Sequence, residues 1–69
     1  MKDNPPAVDH QREFLVAQIA AHRREHWNVQ TLARAYQKAG LDEAARVKAE
    51  AAAGLERVVD TLEAMLDEL

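Results

Sequence analysis

The chain of 69 residues contains no cysteine and only two prolines, two glycines and three aromatic residues. Without cysteine it can form neither a disulfide nor a thiolate metal site, the devices that stabilise many domains of this size. A lone hydrophobic core in so short a chain supplies only roughly 3–5 kcal/mol of net stability. We therefore expect the domain to be stabilised by association with a second copy of itself.

Long apolar runs and a basic surface are also missing. No stretch approaches the ~18 apolar residues of a membrane span, and residues 1–6 carry charges and two prolines where a secretory signal needs an apolar core. Residues 1–39 hold six Lys or Arg against four Asp or Glu, whereas residues 40–69 hold three against eight. A net charge of −3 disfavours binding to anionic lipid and to nucleic acid. We predict a cytoplasmic protein that does not bind membranes.

Apolar residues make up 48 % of the chain, and alanine is prominent among them, which favours helix over strand. In the second half, residues recur at alternating steps of four and three, the spacing of a packed helix face. This seam comprises Leu41, Ala45, Lys48, Ala52, Leu55, Val59, Leu62, Leu66 and Leu69. A flanking row beside it comprises Ala44, Ala51, Val58 and Met65.

The first half carries a seam of its own. Asp9 is a candidate N-cap for a helix that runs to about residue 39, and Asn4, which precedes Pro5, is the earlier alternative. A break near Trp27 and Asn28 is the alternative to the unbroken helix that we favour. The seam comprises Leu15, Ile19, His22, His26, Val29, Ala33 and Tyr36, and Val16, Ala20 and Leu32 widen it.

Gly40 is the one clear stop between the two seams. A glycine just past a helix can adopt positive φ as the C′ residue of a Schellman cap, and Asp42 then caps the next helix. The short connection makes the helices antiparallel. We predict an all-α fold, an antiparallel hairpin of helices over residues 9–39 and 42–68. Residues 1–8 form a flexible or capping lead-in, and residues 9–69 form a single domain.

The hairpin fold predicts which residues lie opposite one another. Folding the chain about the turn places Leu15 against Leu66 and Trp27 against Gly54. Gly54 follows three alanines in mid-helix, where glycine costs ~0.5–1 kcal/mol relative to alanine. We expect this small-residue segment to receive the Trp27 ring.

The turn also resembles that of a tetratricopeptide helix pair. The resemblance covers about a third of the chain and one repeat, and Val29 stands where the repeat has tryptophan. Because such repeats need at least about three copies for stability, we interpret the match as a feature shared by helix hairpins in general. It is carried by Leu32-Ala33-Arg34-Ala35-Tyr36, Ala39-Gly40 and Asp42-Glu43-Ala44.

The apolar stripe of the second helix, made of its seam and flanking row, is wider than one partner helix covers. Since the chain offers only one other long helix, we predict that a second copy covers the remainder. The simplest closed assembly is a C₂ homodimer that forms a four-helix bundle. The predicted interface residues are Leu55, Val58, Val59, Leu62, Met65, Leu66 and Trp27.

Residues 22–26 read His-Arg-Arg-Glu-His and form the one segment with a reactive pattern. His22 and His26 share a helix face at a spacing that can bind one Zn²⁺, with Glu56 as the candidate third ligand. The spelling resembles the inverted zinc-peptidase motif, in which the glutamate acts as general base. In the alternative that we favour, both histidines face the bundle interior and make hydrogen bonds there. We expect no catalysis.

Together these features predict a small helical module for protein–protein interaction, an adaptor or regulator that self-associates and acts without a cofactor. Two alternatives stay open. One is a metal-binding protein that holds zinc through His22 and His26, and the other is a regulator associated with nucleic acid.

Overall fold

The fold is a hairpin of two antiparallel α-helices, described by a computed structural model over residues 6–69, with side chains from residue 8 onward. Helix α1 spans Pro6–Lys38 and helix α2 spans Asp42–Asp67. The two helices pack against each other, and the Cα atoms extend over 62 × 14 × 11 Å. The predicted all-helical hairpin is confirmed.

Helix α1 begins three residues earlier than predicted. Pro6 is its first residue, a position that suits proline because the first helical N–H has no partner within the helix. Asp9 is therefore not the N-cap but lies in the first turn, where its carboxylate favours the positive end of the helix dipole. Asn4 lies outside the described residues. The helix continues through Trp27 and Asn28 without a break, as predicted.

The connection between the helices is a Schellman turn at Gly40, as predicted. Gly40 has φ = 81°, and its N–H donates to the Gln37 carbonyl at 3.1 Å. The N–H of Leu41 donates to the Tyr36 carbonyl at 2.9 Å, which completes the motif.

The second helix is capped by a different residue than the sequence indicated. Leu41, not Asp42, holds the N-cap position, and its carbonyl accepts the Ala45 N–H at 2.9 Å without any side-chain cap. The reason is the tight turn, because Leu41 leaves the Schellman motif and enters the next helix within one residue. Asp42 and Glu43 instead place their carboxylates in the first helical turn, where they interact favourably with the positive end of the helix dipole.

The two predicted seams meet between the helices. Five apolar side chains among the described residues are buried there: Leu15, Ile19, Val29, Ala52 and Val59. The half-buried members are His22, His26, Ala33, Tyr36, Ala45, Lys48, Leu55, Leu62 and Leu66. The residues expected to widen the first seam, Val16, Ala20 and Leu32, are exposed. The core thus consists of the seam residues of the two helices.

The predicted contact between Trp27 and Gly54 is wrong. The Trp27 side chain is 66 % exposed, and a Cβ atom on Gly54 would approach only the Arg57 Nη2 atom, at 3.9 Å. Trp27 follows the seam residue His26, so it is rotated by ~100° away from the interface in one direction. Gly54 precedes the seam residue Leu55 and is rotated the opposite way, so the two residues point to opposite sides of the hairpin.

Candidate interaction surface

The hairpin presents two broad faces, one on each side of the seam. Positions just before and just after a seam residue are rotated by ~100° in opposite directions. In antiparallel right-handed helices, the preceding positions of both helices therefore lie on one side. The grooves between the helices agree: Phe14 and Met65 line one groove, and Gln30 and Ala53 line another.

The face formed by the preceding positions is here called the apolar face. Its large side chains remain open to solvent in the single chain: Phe14 is 61 % exposed, Leu32 43 %, Val47 50 %, Val58 42 % and Met65 47 %. Most of the other residues on the apolar face are small or uncharged. The charged residues of this face are Glu25 and Glu68. The smaller members are Ala21, Ala35, Ala44 and Ala51. The face is apolar along α2, whereas on α1 it is interrupted by Gln18, Glu25 and Asn28. Exposed apolar patches are often contact sites in proteins.

The face formed by the following positions is here called the charged face. Arg23 of α1 donates a hydrogen bond to Glu63 of α2, an ion pair that crosses between the helices. The face also carries the exposed Trp27, which lies beside Asp60 in a shallow groove. Its charged residues are Arg23, Arg34, Asp42, Arg46, Glu56, Asp60, Glu63 and Asp67. Such a face is well solvated as it stands.

The two candidate zinc ligands lie in different surroundings. The half-buried His22 donates from Nδ1 to the Gln18 carbonyl of its own helix at 2.7 Å, since a carbonyl can only accept. His26 lines a groove on the charged face together with Glu56, the predicted third ligand. Over residues 6–69, no group of three or more His, Cys, Asp or Glu side chains is placed to hold a metal ion. The structure thus places His26 and Glu56 along one groove, and His22 does not line that groove.

The predicted interface residues divide into three groups. Val58 and Met65 lie on the apolar face. Trp27 lies on the charged face, on the other side of the hairpin from these two residues. The remaining four, Leu55, Val59, Leu62 and Leu66, lie in the seam and pack between the two helices of one chain. Phe14 was missing from the prediction although it directly precedes the seam residue Leu15, which is the signal that would have found it.

Comparisons with known proteins assign no activity to this surface. The chain matches no protein-family model, no curated protein and no solved structure. Within residues 6–69, neither helix combines the length and apolar character that crossing a membrane requires. A function must therefore be inferred from the chemistry of the two faces.

Proposed function

We propose that this chain is a non-catalytic interaction module whose hairpin pairs with a second copy through the apolar face, forming a four-helix bundle. The observation that carries the proposal is the alignment of Phe14, Leu32, Val58 and Met65 on one face that has few charges. Burying a large apolar side chain completely is worth about 1.5–3 kcal/mol. These four side chains are already partly covered within one chain, so each contributes only part of that value when a second copy covers it.

The thin core of the single chain supports a dimer. None of the described side chains is buried completely. A second hairpin laid on the apolar face would turn this two-layer contact into the enclosed core of a bundle.

The test is the molecular mass in solution over a dilution series, measured by analytical ultracentrifugation. We expect Val58→Glu to raise the dissociation constant by at least about 100-fold, because an unpaired carboxylate would be buried in the interface. The matched control is Ala53→Glu, which adds the same side chain to the exposed charged face of the same helix. This control should change the constant by less than about three-fold.

Two results would contradict the proposal. One is a folded wild-type monomer that persists up to millimolar concentration. The other is equal weakening by both glutamate variants, which would mean that the apolar face has no special part in association. Far-ultraviolet circular dichroism of each variant shows whether the helices remain formed during the measurement.

A further inference from the structure

We infer that the two hairpins pair with their turns at opposite ends, related by a two-fold axis perpendicular to the helices. The inference rests on the proposed self-association and adds its geometry. In this arrangement α2 faces α2 of the second copy and α1 faces α1. In the other face-to-face arrangement the turns lie together, and α2 faces α1 of the second copy.

The distribution of bulk along α2 favours opposed turns. Its flanking row, the part of the apolar face next to the seam, is small near the turn, at Ala44 and Ala51, and large near the chain end, at Val58 and Met65, whereas Val47 lies farther from the seam. Antiparallel pairing of this row with itself places Met65 on Ala44 of the second copy and Val58 on Ala51. Each large side chain then meets a small one, as close packing requires.

Helix α1 is compatible with the same axis, which also sets Glu25 opposite Asn28 of the second copy. Leu32, a large residue of its apolar face, pairs with Ala21 of the second copy when the axis crosses α1 near residues 26–27. The α2 pairs require an axis near residues 54–55. These two points lie at one level of the hairpin, because His26 shares a groove with Ala53 and Glu56. One axis therefore satisfies both helices.

The arrangement with the turns together packs poorly. Phe14, Met65 and Leu69 line one groove near the end of the hairpin that is remote from the turn. Placing the turns together would bring this bulky end onto the same end of the second copy. At the turn, Ala35 would face Ala44 and leave unfilled space between the hairpins. Overpacking and cavities both destabilise an interface.

Single-cysteine variants can test the orientation, because the natural chain has no cysteine. Helices packed 8–10 Å apart bring facing Cα atoms to roughly 3.5–5.5 Å, which overlaps the range that a disulfide spans. A mixture of Ala51→Cys and Val58→Cys chains reports opposed turns. A mixture of Ala21→Cys and Val58→Cys chains reports turns together. Each variant alone is a control, and sedimentation shows that each still associates as the wild type does.

We expect the first mixture to give at least roughly ten times more covalent heterodimer than the second under mild oxidation, as measured by mass spectrometry. The reverse ratio, or equal yields, overturns the orientation while the dimer itself stands. If the wild-type chain is monomeric by sedimentation, the proposed self-association fails first. The two failures are thus distinguishable.

Discussion

The two faces of the hairpin are built on the same helices and flank the same seam, yet they differ sharply in chemistry. Phe14 on the apolar face and Trp27 on the charged face are almost equally exposed, at 61 % and 66 %. Phe14 shares its groove with Met65 and Leu69, whereas Trp27 lies among charged side chains that include Asp60. The exposure of an aromatic ring thus says little about contact until its neighbours are known.

The largest expected effect separates the seam from both faces. Ile19 is 7 % exposed and packs between the helices, whereas Val16 on the charged face is 51 % exposed. We expect Ile19→Ala to lower the free energy of unfolding by about 2–4 kcal/mol, because it leaves a cavity in a thin core. Val16→Ala should lower it by less than about 0.5–1 kcal/mol. Urea denaturation followed by circular dichroism, at one fixed protein concentration, measures both values.

Equal losses for the two variants would break the distinction between seam and face. They would show that Val16 is covered in solution, and that the charged side of the hairpin also takes part in packing. A loss confined to Ile19→Ala would leave the seam as the element that holds one chain together, and the faces as surfaces open to partners.

Much of this architecture could be predicted from residue spacing. The steps of four and three locate the buried Leu15 and Val59, and Gly40 marks the turn, because only a residue that tolerates positive φ suits that position. The predicted pairing of Trp27 with Gly54 is wrong because counting residues from the turn gives only their level along the hairpin. It does not give the direction in which each side chain leaves its helix. Rotation by ~100° per residue places residues on either side of a seam position on opposite faces.

Helix ends depend on hydrogen bonds that the spacing does not specify. Asp42 has the side chain of an N-cap, but the Schellman bond from the Leu41 N–H brings the chain into the helix one residue earlier. At the start of α1, Asp9 competes with Pro6, and the fixed φ of proline extends the helix to the earlier position. The position of Phe14 on the apolar face, by contrast, follows from antiparallel packing alone and could have been predicted from the sequence.

The second prediction sharpens the comparison between the two exposed aromatic residues. We expect Phe14→Ala to weaken dimerisation by about 1–2 kcal/mol, roughly a ten-fold rise in the dissociation constant, because its ring lies on the proposed interface. Trp27→Ala should leave the constant within about two-fold, since its ring lies on the opposite face. Sedimentation equilibrium measures both, and a larger effect at Trp27 would move the interface to the charged face.

The smallest expected effect concerns the ion pair between Arg23 and Glu63, which joins the helices on the charged face. Both side chains are substantially exposed, at 61 % and 40 %, so water and salt screen their attraction. We expect a double-mutant cycle with Arg23→Gln and Glu63→Gln to give a coupling of about 0–1 kcal/mol that disappears in roughly 1 M salt.

The Arg46 and Glu50 pair is the control for this cycle, because it is exposed to a similar degree, at 58 % and 67 %, but lies within α2. Arg46 also pairs with Glu43, so this cycle is measured with Glu43→Gln present in all four variants. Similar coupling energies in the two cycles would mean that the ion pair between the helices contributes no more stability than an ion pair within one helix. A coupling above about 1.5 kcal/mol for Arg23 and Glu63 alone, resistant to salt, requires a pair shielded from water. The charged face would then itself be covered, and the contrast between a contact face and a solvated face would no longer hold.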